Sequence, residues 1–166
     1  IAAIETAIIC GLSYDEIQKG LLQFENMAQR NEVITLENGA IIINDCYNAN
    51  PDSVKASIKA VNDTYRDKEI FVVIGDMLEL GDFEEKYHRE IGQFINTTTV
   101  DNVLTVGKLA QYIAQEIQND KNVASFKNTA EASVYLKDKL HNNSIVLLKA
   151  SRGMAFENIA EYLKGK

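Results

Sequence analysis

Short runs of β-branched and aliphatic residues alternate with longer amphipathic stretches through most of this 166-residue chain. The strand-like runs lie at 33–36, 40–44, 70–74, 103–106, 123–126 and 145–148. Strands that alternate with helical patterns of about 10–15 residues predict βαβ units and a mainly parallel sheet. The fold class is therefore predicted to be α/β, with a Rossmann-like, mainly parallel sheet flanked by helices.

The beginning of the chain departs from this alternation. Asn38-Gly39 joins the first two strand-like runs and is a strong hairpin signal, which predicts an N-terminal hairpin strand. Before it, residues 1–10 have a helical pattern that ends at Gly11, and 13–16 has the form of a capping box that opens a second helix. Residues 24–31 have no periodicity and predict a connector. Because the chain starts within a helical pattern, we expect it to be a fragment of a longer protein.

Composition excludes several classes of function. The net charge of −7 argues against a nucleic-acid partner or a basic membrane face. The longest apolar run near the start is far shorter than the roughly 20 residues that span a bilayer, so no membrane insertion is expected. Cys10 and Cys46 lie far apart without metal-ligand spacing, which indicates free thiols in a reducing, cytoplasmic compartment.

A polar segment at 44–51 separates the second strand from an amphipathic helix. Asn50 followed by proline is sufficient to begin that helix. Asp45, Tyr47 and Asn48 exceed this need, and ligands of open α/β sheets bind at the carboxyl ends of strands. The segment is therefore predicted to be a binding site, although an Asx turn explains Asp45 equally well.

The other strand-to-helix loops of a parallel sheet should emerge at the same edge; they lie at 75–82, 107–108 and 149–153. The last of them brings Lys149, Ser151 and Arg152 to the end of a buried strand. Two cations beside a hydroxyl suit a carboxylate or phosphate in an otherwise acidic chain, and solvated surface cations are the alternative.

Two further residues are candidates of a weaker kind. His88 lies on the helix after the acidic loop 75–82 and is able to orient that loop; a solvent-facing or capping histidine is expected there rather than a catalytic one. Arg30, in the connector, is the remaining candidate for a nucleotide phosphate, although a lone linker arginine is usually structural or exposed. The chain has no G-x-x-x-x-G-K-[ST] phosphate loop and no predicted metal ligand, so it lacks the means to bind ATP unaided.

Three segments, taken in order, resemble motifs of the Mur ligase family. Residues 44–53 (N-D-C-Y-N-A-N-P-D-S) are similar to a D-D-S-Y-N-A-N-P-x-S signature, 75–81 with His88 to G-D-M-x-E-L-G…H, and 149–152 to K-G-S-R. The Y-N-A-N-P form resembles the branch that uses D-alanyl-D-alanine; the diaminopimelate- and lysine-adding relatives usually have an A-H-T-P-like variant. The chain departs from the motifs by Asn44, Cys46 and Ala150 in place of Asp, Ser and Gly, and the alanine would alter backbone approach to the substrate.

The resemblance implies an ATP-dependent amide ligase of peptidoglycan precursor synthesis, and so of cell-wall biogenesis, cell shape and cell division. Its substrates would be UDP-N-acetylmuramoyl-tripeptide and D-Ala-D-Ala, joined through an acyl phosphate. ATP and Mg²⁺ would be bound mainly by a central domain of the same chain. Residues 1–31 would be the C-terminal helices of that domain plus the connector, and 32–166 the Mur ligase C-terminal domain. Without the phosphate loop, the fragment alone would be inactive.

The same resemblance implies roles for individual residues. Arg30 and Asp45 would bind ATP, through a phosphate and the ribose respectively. Lys149, Ser151 and Arg152 would bind the carboxylate of D-Ala-D-Ala.

Tyr47, Asn48 and Asn50, on the active-site loop, would shape the closed active site.

Two alternative functions remain open. One is another Mur-type or folylpolyglutamate-type ligase with a different amino acceptor. The other is a stand-alone nucleotide- or metabolite-binding regulatory domain.

Overall fold

A computed structural model of the chain describes residues 2–23, 29–118 and 120–165. Within these ranges lie seven α-helices and one six-stranded sheet. The helices are α1 (Ala2–Ile9), α2 (Tyr14–Leu22), α3 (Pro51–Thr64), α4 (Glu84–Ile95), α5 (Gln111–Glu116), α6 (Thr129–Lys139) and α7 (Glu157–Leu163). The strands are β1 (Glu32–Thr35), β2 (Ile41–Asn44), β3 (Glu69–Gly75), β4 (Asn102–Val106), β5 (Asn122–Phe126) and β6 (Ser144–Lys149).

The sheet has the strand order β1-β2-β6-β3-β4-β5. β1 runs antiparallel to β2, and every other neighbouring pair is parallel. At the turn between β1 and β2, Gly39 has a φ of 86°, a backbone conformation that favours glycine. The predicted α/β class, the mainly parallel sheet and the N-terminal hairpin strand are therefore confirmed.

Helices cover both faces of the sheet because its central strands are apolar on both sides. Along β3, Val72 and Ile74 pack in the cluster that includes residues of α3, α4 and α5. The intervening Phe71 and Val73 pack with residues of α6 and α7. This double coverage explains the continuous apolar runs of the sequence and gives the ends of the strands a rigid support.

The two N-terminal helices have the ends that the sequence predicts. Gly11 follows α1 with a φ of 83°. At the start of α2, the Ser13 side chain accepts from the Glu16 N–H and the Glu16 carboxylate accepts from the Ser13 N–H. Residues 24–28 of the predicted connector lie outside the described residues. Among the residues that are described, no helix is long and apolar enough to span a bilayer.

Candidate active site at the carboxyl edge of the sheet

The loop between β2 and α3 is anchored at both of its ends. The Asp45 N–H donates to the Leu148 carbonyl, which extends the pairing of β2 with β6. At the other end, Asn50 caps α3: its side chain accepts from the Ser53 N–H at 2.8 Å, and the Ser53 hydroxyl accepts from the Asn50 N–H at 3.1 Å. The polar side chains of this loop are therefore presented by a backbone that is fixed before any ligand binds.

A buried ion pair joins this loop to the end of β6. Lys149 Nζ lies 2.7 Å from Asp45 Oδ2, and the two side chains are only 4% and 12% exposed. The ammonium also donates to the Asn48 carbonyl at 2.8 Å, while the Ser57 hydroxyl donates to Asp45 Oδ2 at 2.7 Å. A desolvated pair is tolerated when further hydrogen bonds surround it, as they do here. Among the described residues, the Lys149 ammonium has these two acceptors for its three N–H groups.

A polar pocket of about 370 Å³ opens beside this ion pair. Six of the eight predicted site residues line it. Among the described residues, the lining consists of Arg30, Asn31, Asp45, Tyr47, Asn48, Asn50, Ser53, Ala56, Ser57 and Lys149. Its size and its convergent polar groups are those of a small-molecule site.

Tyr47 lines this pocket and lies against two arginines that are distant from each other in the sequence. The guanidinium carbon of Arg30 lies 4.3 Å from the centre of the Tyr47 ring, and that of Arg152 lies 5.2 Å from it. The Tyr47 N–H donates to the Gln29 carbonyl at 3.0 Å, so the described end of the connector is bound to the loop. Asp45 and Arg152 consequently lie at the same edge of the sheet.

Ser151 connects the last loop with the loop after β3. It is buried; its hydroxyl accepts from the Leu78 N–H at 2.9 Å, and its own N–H donates to the Asp76 carbonyl at 3.2 Å. Its hydroxyl hydrogen has no acceptor in the part of the chain that the structure describes. Ser151 does not line the pocket, and neither does Arg152.

Asp76 extends this connection to the loop after β4. Its buried carboxylate accepts the N–H groups of Ala110, at 2.7 Å, and Lys108, at 3.2 Å. Gly107 has a φ of 112°, and a Cβ there would lie 2.5 Å from Asp76 Oδ1. The predicted gathering of the four loops along one edge is therefore confirmed, with Asp76 joining the loops after β3, β4 and β6.

His88 is a buried positioning group, and the expectation of a solvent-facing histidine is wrong. Its Nε2 accepts from the Met77 N–H at 3.0 Å, which places the ring hydrogen on Nδ1, 2.7 Å from the Glu84 carbonyl. Burial lowers the pKa of the imidazole because it disfavours the cation. The alternative role, orienting the loop 75–82, is the one that the structure supports.

Cys46 takes no part in the chemistry of this edge. It is buried, its Sγ lies 2.9 Å from Asn44 Oδ1, and burial raises the pKa of the thiol to about 12. A thiol with that pKa is almost entirely protonated near neutral pH and is therefore a poor nucleophile.

Sequence reasoning missed the contribution of α3 to the site. Ser53, Ala56 and Ser57 line the pocket, and Ser57 contacts Asp45 directly. The signal that identifies them is the spacing of small residues over the first two turns of the helix. They occupy a different face from Val54 and Ile58, which are buried in the core.

A doubly covered α/β sheet with a polar pocket outside the carboxyl ends of its strands is the arrangement of a ligand-binding α/β domain. The family model of the "Mur ligase, glutamate ligase domain" matches residues 29–152. The chain belongs to the Mur ligase family.

Within that family, the chain is similar to relatives that share one enzyme name. The UDP-N-acetylmuramoyl-tripeptide–D-alanyl-D-alanine ligase of Bacillus subtilis is 35% identical over 98% of this chain. The enzyme of the same name from Buchnera aphidicola subsp. Baizongia pistaciae is also 35% identical over 98% of the chain. The chain spans 36% and 35% of the lengths of these two relatives.

Solved structures agree with these relatives. MurF from Acinetobacter baumannii matches 99% of this chain with a TM-score of 0.82 and 27% identity, and the match covers 36% of that protein. MurF ligase from Thermotoga maritima, in complex with ADP, has the same fold, with a TM-score of 0.83, 24% identity, and coverage of 99% of this chain and 36% of that one.

Proposed function

We propose that this chain is part of an ATP-dependent ligase that joins D-Ala-D-Ala to UDP-N-acetylmuramoyl-tripeptide in peptidoglycan precursor synthesis. The observation that carries the proposal is the 35% identity to a ligase of that name over 98% of the chain. Residues 1–31 would then be the end of a central ATPase domain plus the connector, and 32–166 the C-terminal domain. The cytoplasmic location and the roles in cell shape and division belong to the same proposal.

The proposed reaction has two steps. A carboxylate oxygen of the tripeptide attacks the γ-phosphorus of ATP, which gives an acyl phosphate and ADP. The amine of D-Ala-D-Ala then attacks the acyl carbon, and the tetrahedral intermediate loses inorganic phosphate and a proton to give the amide. Cations are needed where the phosphoryl group is transferred, and the amine has to be held close to the acyl carbon.

The pocket supports a division of roles among its residues. Arg30 has no carboxylate partner among the described residues, and its guanidinium suits a phosphate of ATP. Asp45 Oδ2 accepts two hydrogen bonds, while Oδ1 accepts none from the described residues and suits a ribose hydroxyl. The side of the pocket formed by the active-site loop consists of Tyr47, Asn48 and Asn50. Mg²⁺ and most of the triphosphate would be bound by the central domain.

The last loop would bind the carboxylate of D-Ala-D-Ala. Arg152 is exposed and suits a two-point hydrogen bond with a carboxylate. Counting only the described residues, Lys149 has one N–H left for this ligand, and Ser151 has its hydroxyl hydrogen. We therefore assign most of the binding energy for the carboxylate to Arg152.

An assay of acceptors tests the proposed function on the complete ligase that contains this chain. Phosphate release is measured with ATP, Mg²⁺ and the tripeptide, together with D-Ala-D-Ala, D-glutamate, diaminopimelate or lysine. Of these four acceptors, we expect only D-Ala-D-Ala to give phosphate release. Preference for another amine would support the other Mur-type or folylpolyglutamate-type ligases, and no turnover with any acceptor would support a regulatory binding domain.

The role of Arg152 is tested in the same assay. We expect Arg152→Ala to raise the KM for D-Ala-D-Ala by at least about tenfold, the loss expected for a charge-assisted hydrogen bond, with a smaller effect on the KM for ATP. Arg66→Ala is the matched control because this exposed arginine pairs with Asp63 near the other end of α3. A larger change in the KM for ATP than for the dipeptide would contradict the assignment.

A further inference from the structure

Tyr47 has an unusual environment for a loop tyrosine. Two guanidiniums lie over its ring, Arg30 at 4.3 Å and Arg152 at 5.2 Å from the centroid. Arg30 comes from the connector and Arg152 from the loop after β6, so the ring joins segments that lie at opposite ends of the sequence. Arg89 also lies over a ring, that of Tyr112 at 4.9 Å, but it is ion-paired to Glu85 and Glu116.

The electrostatics of this arrangement need an explanation. The chain carries a net charge of −7, and both Arg66 and Arg89 are paired with carboxylates. Across the described residues, neither Arg30 nor Arg152 forms an ion pair with a carboxylate. Two like charges near one another repel, and the negative face of an aromatic ring is the group here that attracts both. The N–H donors of both guanidiniums are thereby kept for ligands.

The position of the ring is itself held by the loop. The Tyr47 N–H is bound to the Gln29 carbonyl at 3.0 Å, on the connector just before Arg30. On the other side, the Asn48 carbonyl accepts from Lys149 at 2.8 Å, in the ion pair with Asp45. Tyr47 therefore has an anchored backbone on both sides, and from this backbone its ring reaches both arginines.

We infer that Tyr47 is a positioning residue shared by two binding sites. Its ring orients Arg30 towards the phosphate of one substrate and Arg152 towards the carboxylate of the other. This inference rests on the proposed function, which gives the two arginines their ligands. Its consequence is specific: loss of the ring weakens the binding of both substrates, whereas loss of either arginine weakens mainly one.

Arginine side-chain NMR tests, without any assay of activity, whether both arginines lie over the Tyr47 ring. The chain has four arginines, and a guanidinium over a ring has its Nε–H signal displaced by the ring current. We expect Tyr47→Leu to move the signals of Arg30 and Arg152 and to leave that of Arg89 in place. Tyr112→Leu, the matched control, should move the Arg89 signal alone. Tyr47→Phe keeps the ring and should keep both signals displaced. A Tyr47→Leu spectrum in which the signal of Arg30 or of Arg152 stays in place would overturn the inference that the ring orients both arginines.

Kinetics of the complete ligase then test its consequence. We expect Tyr47→Leu to raise the KM for ATP and the KM for D-Ala-D-Ala each about threefold to tenfold, with a smaller change in kcat, and Tyr47→Phe to recover most of both losses. A fall in kcat alone, or a rise in only one KM, would reject the shared role. If the wild-type enzyme does not use D-Ala-D-Ala, the proposed function fails, while the NMR result still decides whether the Tyr47 ring positions both arginines.

Discussion

At the scale of single residues, His88 illustrates how burial overrides the usual behaviour of a side chain. The ring is fully buried, and Ile91 and Ile95, three and seven residues further along α4, are buried with it on the same face of the helix. That spacing was the available signal that His88 faces inward. What the sequence does not contain is the acceptor role, because the Met77 N–H reaches Nε2 only once β3 and α4 have packed.

The buried imidazole predicts a stability that depends on pH. Its pKa is below the ordinary value of 6.5 in the folded chain, so the unfolded chain binds the proton more readily. The free energy of unfolding should therefore fall as the pH drops below about 6.5, by up to about 1.4 kcal/mol per pH unit until the folded-state pKa is reached. Urea unfolding of the wild type and of His88→Gln, between pH 7.5 and 5.5, measures this.

The glutamine variant is the control because its amide oxygen can still accept from the Met77 N–H without titrating. Every other ionisable group is the same in both proteins, so only the difference between the two pH slopes reports on His88. Equal slopes would show that the histidine is not held neutral by the fold.

At the scale of elements, the close contact between α4 and α5 depends on a glycine. A Cβ on Gly92 would lie 2.5 Å from the Ile113 carbonyl oxygen and 2.7 Å from the Glu116 Cβ. We expect Gly92→Ala to destabilise the fold by about 1–3 kcal/mol, since one of the two helices has to move. The midpoint of urea unfolding measures this change.

Gly20 provides the matched substitution. It also lies within a helix, α2, and a Cβ there meets nothing within 4 Å. Gly20→Ala should therefore be neutral or stabilising by up to about 1 kcal/mol, from helix propensity alone. Equal destabilisation by the two substitutions would mean that the close approach of α4 to α5 has no energetic weight.

At the scale of the whole molecule, local patterns predicted more of the fold than of the site. The elements and their parallel arrangement follow from periodicity, and the common edge of the loops follows from parallel strands. The insertion of β6 between β2 and β3 does not, because no local pattern states which strands are neighbours. For that reason the sequence indicated Lys149 as a ligand-binding cation but not as the partner of Asp45, 104 residues away.

That ion pair is where the whole fold and the site depend on each other. Lys149→Met leaves a buried carboxylate without its counter-ion, a loss that typically costs about 3–5 kcal/mol. The second substitution, Asp45→Asn, removes the orphaned charge, so the double variant should be more stable than Lys149→Met alone. Urea unfolding of the four proteins gives the coupling energy between the two positions. Additive losses would mean that the ends of β2 and β6 are held by their backbone pairing, with the charges contributing nothing further.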